Sequence, residues 1–493
     1  MRKSGLLLHP TSLPGPEGIG TLGEEARRFV DQLVRAGQRY WQVLPLGPTG
    51  LFDSPYMASS ALAGNPLLID IETTIKDGWL RLSEVEPAPF SGQDSVDYEG
   101  LKSWKLRMLR VVYGGFQSRA SEEVKRTFKA FCHTHSAWLE DFALFEVLCQ
   151  LRDGAPWYAW PVELRQRHAD VLEAVTREHR VAIAEVKFQQ FLFFSQWLNL
   201  KAYANSRGVE LIGDIPIFVA HNSADVWVNR GQFFLNDEGQ PTVVAGVPPD
   251  YFSATGQRWG NPLYNWAEMA ADGYGWWIER FRVCMLMVDQ VRLDHFRGFE
   301  SYWEIPASHP TALNGTWKPG PGSELFNSVK AALGEVPIIA EDLGIITPAV
   351  EALRDELGFP GMKVLHFAFG EDAANAYLPH NFESSDCVVY TGTHDNDTTV
   401  GWYKQAPEEI RHHVRVYLSV SGDDIAWDLI RCAWRSSAKL AIVPVQDLLS
   451  LDSDARMNVP GEGEGNWRWR MRSDALSEPV LDRMRYLNEL YGR

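Results

Sequence analysis

Apolar positions along this chain gather into eight short runs, each closed by polar residues, Gly or Pro. They are SGLLLHPTSLPG near the amino terminus, QRYWQVLPLGP (38–48), VELIGDIPIFVA (209–220), MLMVDQVRLDHF (285–296), VPIIAEDLG (336–344), MKVLHFAF (362–369), DCVVYTGTHDN (386–396) and LAIVPVQDLLSL (440–451). Short runs this rich in β-branched and apolar residues predict strands buried on both faces. Between several of them the spacing changes to three and four. GEEARRFVDQLVRAG (23–37) has apolar residues at 26, 29, 30, 33 and 34, and Gly37 follows as a C-terminal cap. SELFNSVKAALG and TPAVEALRDELG open on Ser or Thr and close on Gly in the same way. Alternating strand and helix makes the sheet parallel. Eight such strands favour the α/β class in its closed (β/α)8 TIM-barrel form; an open doubly wound sheet fits the pattern too.

Two connections are too long for a single crossover helix. The expected organisation is one barrel over 1–493. An insertion at about 50–205, after the second strand, forms a largely helical subdomain, and one at about 220–285, after the third, forms a covering loop subdomain. The second insertion contains GQPTVVAGVPPDYFSATGQRWGNPLYNW, in which Pro, Gly and aromatics replace any regular period. Long loops of this kind are functional or disordered, and the Trp and Tyr content argues against disorder. The chain shows no internal repeat.

Charge narrows the partners. With a net charge of −17 the chain is a poor match for nucleic acid or an anionic membrane surface. The five cysteines form no CxxC pair, the leading leucine run is too short for a secretion signal, and no apolar stretch reaches the length of a membrane span. These features predict a cytoplasmic protein with reduced thiols. The aromatic count of 19 Trp, 16 Tyr and 24 Phe is mostly core. Rings set among Gly, Pro and Asn, as in QRWGNPLYNW and WYAWPVEL, suit the apolar faces of a sugar.

The chemistry lies at the strand ends. Four of the expected strands finish near an acid: Asp214, Asp294, Glu341 and Asp395. In a (β/α)8 barrel the carboxyl ends open on one face, so acids far apart in sequence converge there. Crowded carboxylates repel, and at least one is pushed up to hold its proton. An ionised carboxylate beside a protonated one is what glycosidic-bond chemistry uses. Arg292, two residues before Asp294, points to the same side of its strand and is placed to support that charge. A single AED often does no more than cap a helix; four acids with Arg and His neighbours point to catalysis. Other signals are weaker. HTH (133–135) and HH (412–413) lie in charged helical contexts and read as structural or solvated. GPTG and PGPEGIG lack the GK[ST] ending of a phosphate loop and read as turns.

GDIPIFV, VRLDHFRGF, IIAEDLG and TGTHDND resemble, in order, the four signature segments of the α-amylase superfamily. LLLHPTSLPGPEGIGTLG, YWQVLPLGPTG, SPYMASSALAGNPLLID and GVPPDYFSATGQRWGNPLY are similar to the amylomaltase family within it, from about residue 5 to 490. The resemblance implies a 4-α-glucanotransferase. It would move a segment of an α-1,4-glucan to the 4-hydroxyl of glucose or a maltooligosaccharide, by a retaining double displacement. It implies Asp294 as nucleophile, Glu341 as general acid/base and Asp395 as the third carboxylate. Arg292 would support Asp294, His394 and Asp214 would bind the same sugar, and Tyr56, Asp250, Tyr251, Phe252 and Trp259 would line the groove. No cofactor and no metal are implied. Val219 and Ala220 stand where many amylases carry a His at the end of the first segment, so their calcium site is not expected. The residues after Leu451 read as helical, which leaves no C-terminal β-sandwich. A hydrolase using the same acids is the alternative. A glucan-binding protein without catalysis fits the intact trio of acids poorly.

Overall fold

The structure, a computed structural model, describes residues 2–89, 94–249, 253–370 and 372–493. Twelve strands follow in chain order: β1 (Lys3–Leu7), β2 (Tyr40–Gln42), β3 (Glu210–Pro216), β4 (Val243–Val247), β5 (Gln257–Pro262), β6 (Gln290–Asp294), β7 (Ser301–Pro306), β8 (Thr316–Pro319), β9 (Ile338–Ala340), β10 (Gly361–Val364), β11 (Cys387–Tyr390) and β12 (Leu440–Pro444). Eight of them form one parallel sheet in the order β10-β11-β12-β1-β2-β3-β6-β9. Its ends nearly meet: the Ala340 N–H donates to the Pro360 carbonyl at 2.9 Å, and the Met362 N–H to Asp342 Oδ1 at 2.7 Å. The result is an almost closed (β/α)8 barrel.

Strand periodicity sorts side chains between the inside and the outside of this barrel. Leu7, Tyr40, Ile212, Ile339, Val388, Tyr390 and Ile442 pack together in its interior. Their alternates Leu6, Trp41, Leu211, Ala340, Val389, Ala441 and Val443 belong to the larger core shared with the helices. The same alternation aims the functional groups. Val291 and Leu293 face the outer core, so Arg292 and Asp294 face inward; Asp214 lies two residues beyond Ile212, on the inner side.

Among its described residues the β2–β3 connection holds five helices of ten residues or more, Tyr98–Arg119, Glu122–Thr134, Ser136–Leu151, Ala169–Glu178 and Arg180–Ser206. Two buried glutamines on the last one satisfy loop backbone that would otherwise be orphaned. Gln190 bonds the N–H and carbonyl of Gly64 at 2.7 and 2.9 Å, and Gln196 those of Asp70 at 2.7 and 3.0 Å. They fix the segment that follows Tyr56.

The structure differs from the sequence expectation in three places. The stretch 220–285 is not an irregular loop: it supplies β4 and β5, which join β7 and β8 in a four-stranded antiparallel sheet ordered β5-β4-β7-β8. VVAGV sits among Pro and Gly that mask it as a strand, and its partner β7 lies far away in sequence. Met285–Met287 belong to the helix Gly275–Met287 rather than to the barrel strand, because a buried helix and a buried strand share the same apolar composition. Finally, the chain from Asp452 to Ser477 is mostly irregular before the helix Glu478–Tyr491. No strand follows β12 among the described residues.

Candidate active site

At the carboxyl ends of β3 and β6, Arg292 stands between two acids. Its Nη1 lies 2.7 Å from Asp214 Oδ2 and its Nη2 lies 2.9 Å from Asp294 Oδ1. Arg292 and Asp214 are buried, whereas the Asp294 side chain keeps 27% of its surface exposed. Tyr56 donates its hydroxyl to the same Asp214 Oδ2 at 2.8 Å. Burial opposes the guanidinium charge, but Asp214 and Asp294 hold Arg292 well above its ordinary value. Burial pushes Asp214 up, with Arg292 pulling the other way; an oxygen 2.7 Å from a guanidinium nitrogen is the contact of a charged pair. Burial, followed by the Asp214 charge, likewise lifts the Tyr56 phenol, which keeps it a donor.

Glu341 follows β9 directly. Its Oε2 accepts the His295 N–H at 2.7 Å and its Oε1 accepts the Leu343 N–H at 3.0 Å. Burial raises its pKa to about 8, with Asp294 adding to the effect and Arg292 opposing it. Glu341 therefore holds its proton at neutral pH. His295 reaches it from a left-handed backbone, φ 53 and ψ 50. That conformation costs a non-glycine residue roughly 1 kcal/mol or more and persists because the surroundings demand it. The His295 ring, which burial pushes down to about 3, meets Trp259 edge to face at 4.9 Å.

Asp395 lies in the loop beyond β11 rather than at the strand end itself. Its Oδ1 accepts from Asn458 Nδ2 at 2.6 Å, its Oδ2 lies 3.3 Å from His394 Nε2, and Arg456 Nη2 holds its backbone carbonyl at 2.6 Å. His394 is buried, and burial lowers its pKa. Its ring stacks on Tyr56 at 5.1 Å and 13°, with Trp467 packed against both at 5.8 and 6.0 Å.

Of the residues singled out by sequence, the structure gathers Tyr56, Asp214, Arg292, Asp294, Glu341, His394 and Asp395 into one cluster, with Trp259 touching it through His295. Asp250, Tyr251 and Phe252 lie outside the described residues. Sequence reasoning missed Arg456, Asn458 and Trp467. Their segment, RMNVPGEGEGNW, has the Asn, Gly, Pro and Trp mixture of QRWGNPLYNW, and that composition was the available signal. The HTH histidines are structural in part: the His135 ring stacks on Phe194 at 5.6 Å. Among the described residues no group of three or more His, Cys, Asp or Glu is arranged to hold a metal.

A protonated, buried carboxyl within one residue's reach of a partly exposed, cation-supported carboxylate can donate a proton while its neighbour attacks an electrophilic carbon. Comparison with known proteins shows the family. Residues 8–476 match the family described as 4-alpha-glucanotransferase. A 4-alpha-glucanotransferase of Thermus thermophilus is 51% identical, aligned over 100% of this chain and 99% of its own. One from Synechocystis is 48% identical over 100% and 98%. Among solved structures, the amylomaltase from Streptococcus agalactiae in complex with acarbose superposes with a TM-score of 0.96 at 37% identity, over 100% of both chains. The amylomaltase from Corynebacterium glutamicum, at 17% identity and a TM-score of 0.78 over 99% of this chain and 75% of its own, shares the fold.

Proposed function

The chain belongs to the 4-alpha-glucanotransferase family, and from that premise we propose that Asp294, Glu341 and Asp395 carry the transfer by a retaining double displacement. Glu341 protonates the glycosidic oxygen of a bound α-1,4-glucan while Asp294 attacks the anomeric carbon. The fragment on the acid's side departs, and the donor segment stays as an ester of Asp294. An acceptor sugar then takes the vacated place. Glu341, now ionised, removes the proton of its 4-hydroxyl as that oxygen displaces Asp294. The donors are maltooligosaccharides or longer α-1,4-glucans, and glucose serves as the smallest acceptor.

The other residues position the sugar at the cleavage point. Asp214 Oδ1 is buried without a partner among the described residues, and Arg292 and Tyr56 fix the other oxygen. The roles of Asp214 and His394 as ligands of sugar hydroxyls, and of Asp395 in gripping the ring as it flattens, rest on the family resemblance. The Tyr56 ring supplies an apolar wall. Asp250, Tyr251, Phe252 and Trp259 line the groove, an assignment that rests on the family resemblance. Five unpaired cysteines support a reducing, cytoplasmic setting.

The observation that carries this reading is the pairing of Glu341, raised to about 8, with Asp294 on the Arg292 guanidinium. The test is incubation with maltotriose. Transfer yields glucose and oligomers longer than the substrate; hydrolysis yields only shorter sugars and a rising count of reducing ends.

A further inference from the structure

Of the nineteen tryptophans, Trp317 is the most exposed, at 39%. It is nevertheless held still. It stands on the edge strand β8, where the Arg297 guanidinium lies 3.8 Å from the ring centroid. Trp303, its direct partner on β7, meets it at 5.1 Å and 66°. Arg297 is buried, and it donates from Nη1 to the Ile345 carbonyl and from Nη2 to Ser301 Oγ at 3.3 Å. An aromatic ring supported on one face and one edge offers its remaining face with little rotamer entropy left to lose on binding.

Its neighbours say which part of a substrate meets it. Arg297 follows Asp294 by one short turn. Ile345 belongs to the loop that starts at Glu341, and the Leu343 N–H of that loop fixes the Glu341 carboxyl. Ile345 itself is half exposed, at 50%. The acid/base stands on the side of the scissile bond from which the leaving sugar departs and where the acceptor arrives. Arg297 thus links the Trp317 ring to the loop that carries Glu341.

We propose that Trp317 is an outlying acceptor subsite, on which a distal glucose unit of a maltooligosaccharide acceptor stacks. The inference rests on the reading of Glu341 as acid/base given above. It makes Trp317 a residue that sets preference for acceptor length without touching the reacting atoms. Glucose alone is too short to reach it.

The experiment uses the full chain with α-maltosyl fluoride as donor, glucose or maltotetraose as acceptor, and the variants Trp317→Ala and Trp317→Phe. Fluoride release follows donor cleavage, and product chromatography follows the acceptor. The readout is the half-saturating concentration of maltotetraose divided by that of glucose. Trp317→Ala is expected to raise this ratio roughly three- to tenfold, the worth of one stacked ring. Trp317→Phe, which keeps a smaller ring, is expected to raise it less. A ratio equal to the parent's in both variants overturns the subsite. If Asp294→Asn released fluoride as fast as the parent, the catalytic reading beneath the inference would fall with it; an unchanged ratio in an enzyme whose fluoride release depends on Asp294 overturns the subsite alone.

Discussion

His295 donates its backbone N–H to Glu341 Oε2 at 2.7 Å, and so joins the residue after Asp294 to the buried acid of the next strand in the sheet. The left-handed φ of 53 at His295 is what makes the bond. The two carboxyls proposed to react are thereby set by one peptide unit, and anything that shifts the end of β6 shifts Asp294 and Glu341 together.

The pH dependence of transfer follows from Glu341. The first half-reaction needs its proton, and burial raises its pKa to about 8. Activity on maltotriose is therefore expected to hold through neutral pH and to fall as pH rises past about 8, where the carboxyl ionises before it can donate. Rates measured from pH 5 to 10 check this. A profile still flat at pH 10 would contradict it. Glu341→Gln should lose about 10²- to 10⁴-fold in rate on maltotriose. It should lose much less in the first-turnover release of fluoride from α-maltosyl fluoride, whose leaving group departs without a proton, while the later transfer step stays slow for want of the base.

Arg292 is the only cation found in contact with both Asp214 and Asp294 among the described residues. Replacing it by Ala leaves a buried carboxylate uncompensated. Removing one partner of such a pair typically costs about 3–5 kcal/mol. Arg292→Ala is expected to unfold at markedly lower denaturant than the parent and to be inactive. Asp294→Asn, whose carboxylate is partly exposed, should instead fold normally and lose turnover. Equal stability of the two variants would count against this division of roles.

Much of this site was legible before any coordinates. Period-two alternation predicts which residues of a strand share a face, so Arg292 and Asp294 fall together, and the acids that end successive strands of a barrel must converge. The segment Arg456–Trp467 was not legible. Nothing in its periodicity says that it folds back across the barrel mouth, because its contacts with Asp395, His394 and Tyr56 are long-range and its local structure is irregular. β4 and β5 were lost for a related reason: both sit in a stretch dominated by Pro, Gly and aromatics, where VVAGV and QRWGNP do not stand out as strands.

Asn458 supplies a test of that unforeseen segment. Its amide holds Asp395 Oδ1 at 2.6 Å, while Arg456 holds the Asp395 carbonyl and donates from Nε to the Asn458 carbonyl at 2.7 Å. Asn458→Ala removes a hydrogen bond to a carboxylate, worth about 1.5–3 kcal/mol when one partner is charged. The expected outcome is a fall in kcat of roughly ten- to a hundredfold. Unchanged kcat would mean that Asp395 needs no support from this segment.

Trp259 gives the test of how the enzyme chooses sugar over water. It stands on β5, at the edge of the antiparallel sheet, with its ring against His295 at 4.9 Å and Phe218 at 6.4 Å. Through His295 it is one contact away from Glu341, the proposed acid/base. A sugar stacked there gains apolar contact and keeps its 4-hydroxyl near the anomeric carbon, which raises its effective concentration over that of water. Losing the ring should weaken acceptor binding by about 1–3 kcal/mol. Water then captures more of the glycosyl-enzyme, and the ratio of hydrolysis to transfer rises. The assay follows glucose, reducing ends and longer oligomers from maltotriose in Trp259→Ala beside Tyr251→Ala and Phe252→Ala. A raised ratio in Trp259→Ala, with total bond cleavage less affected, is the expected result. If all three variants keep the parent ratio while cleavage drops, the aromatic residues of this region shape the donor side, and the preference for transfer must come from elsewhere in the groove.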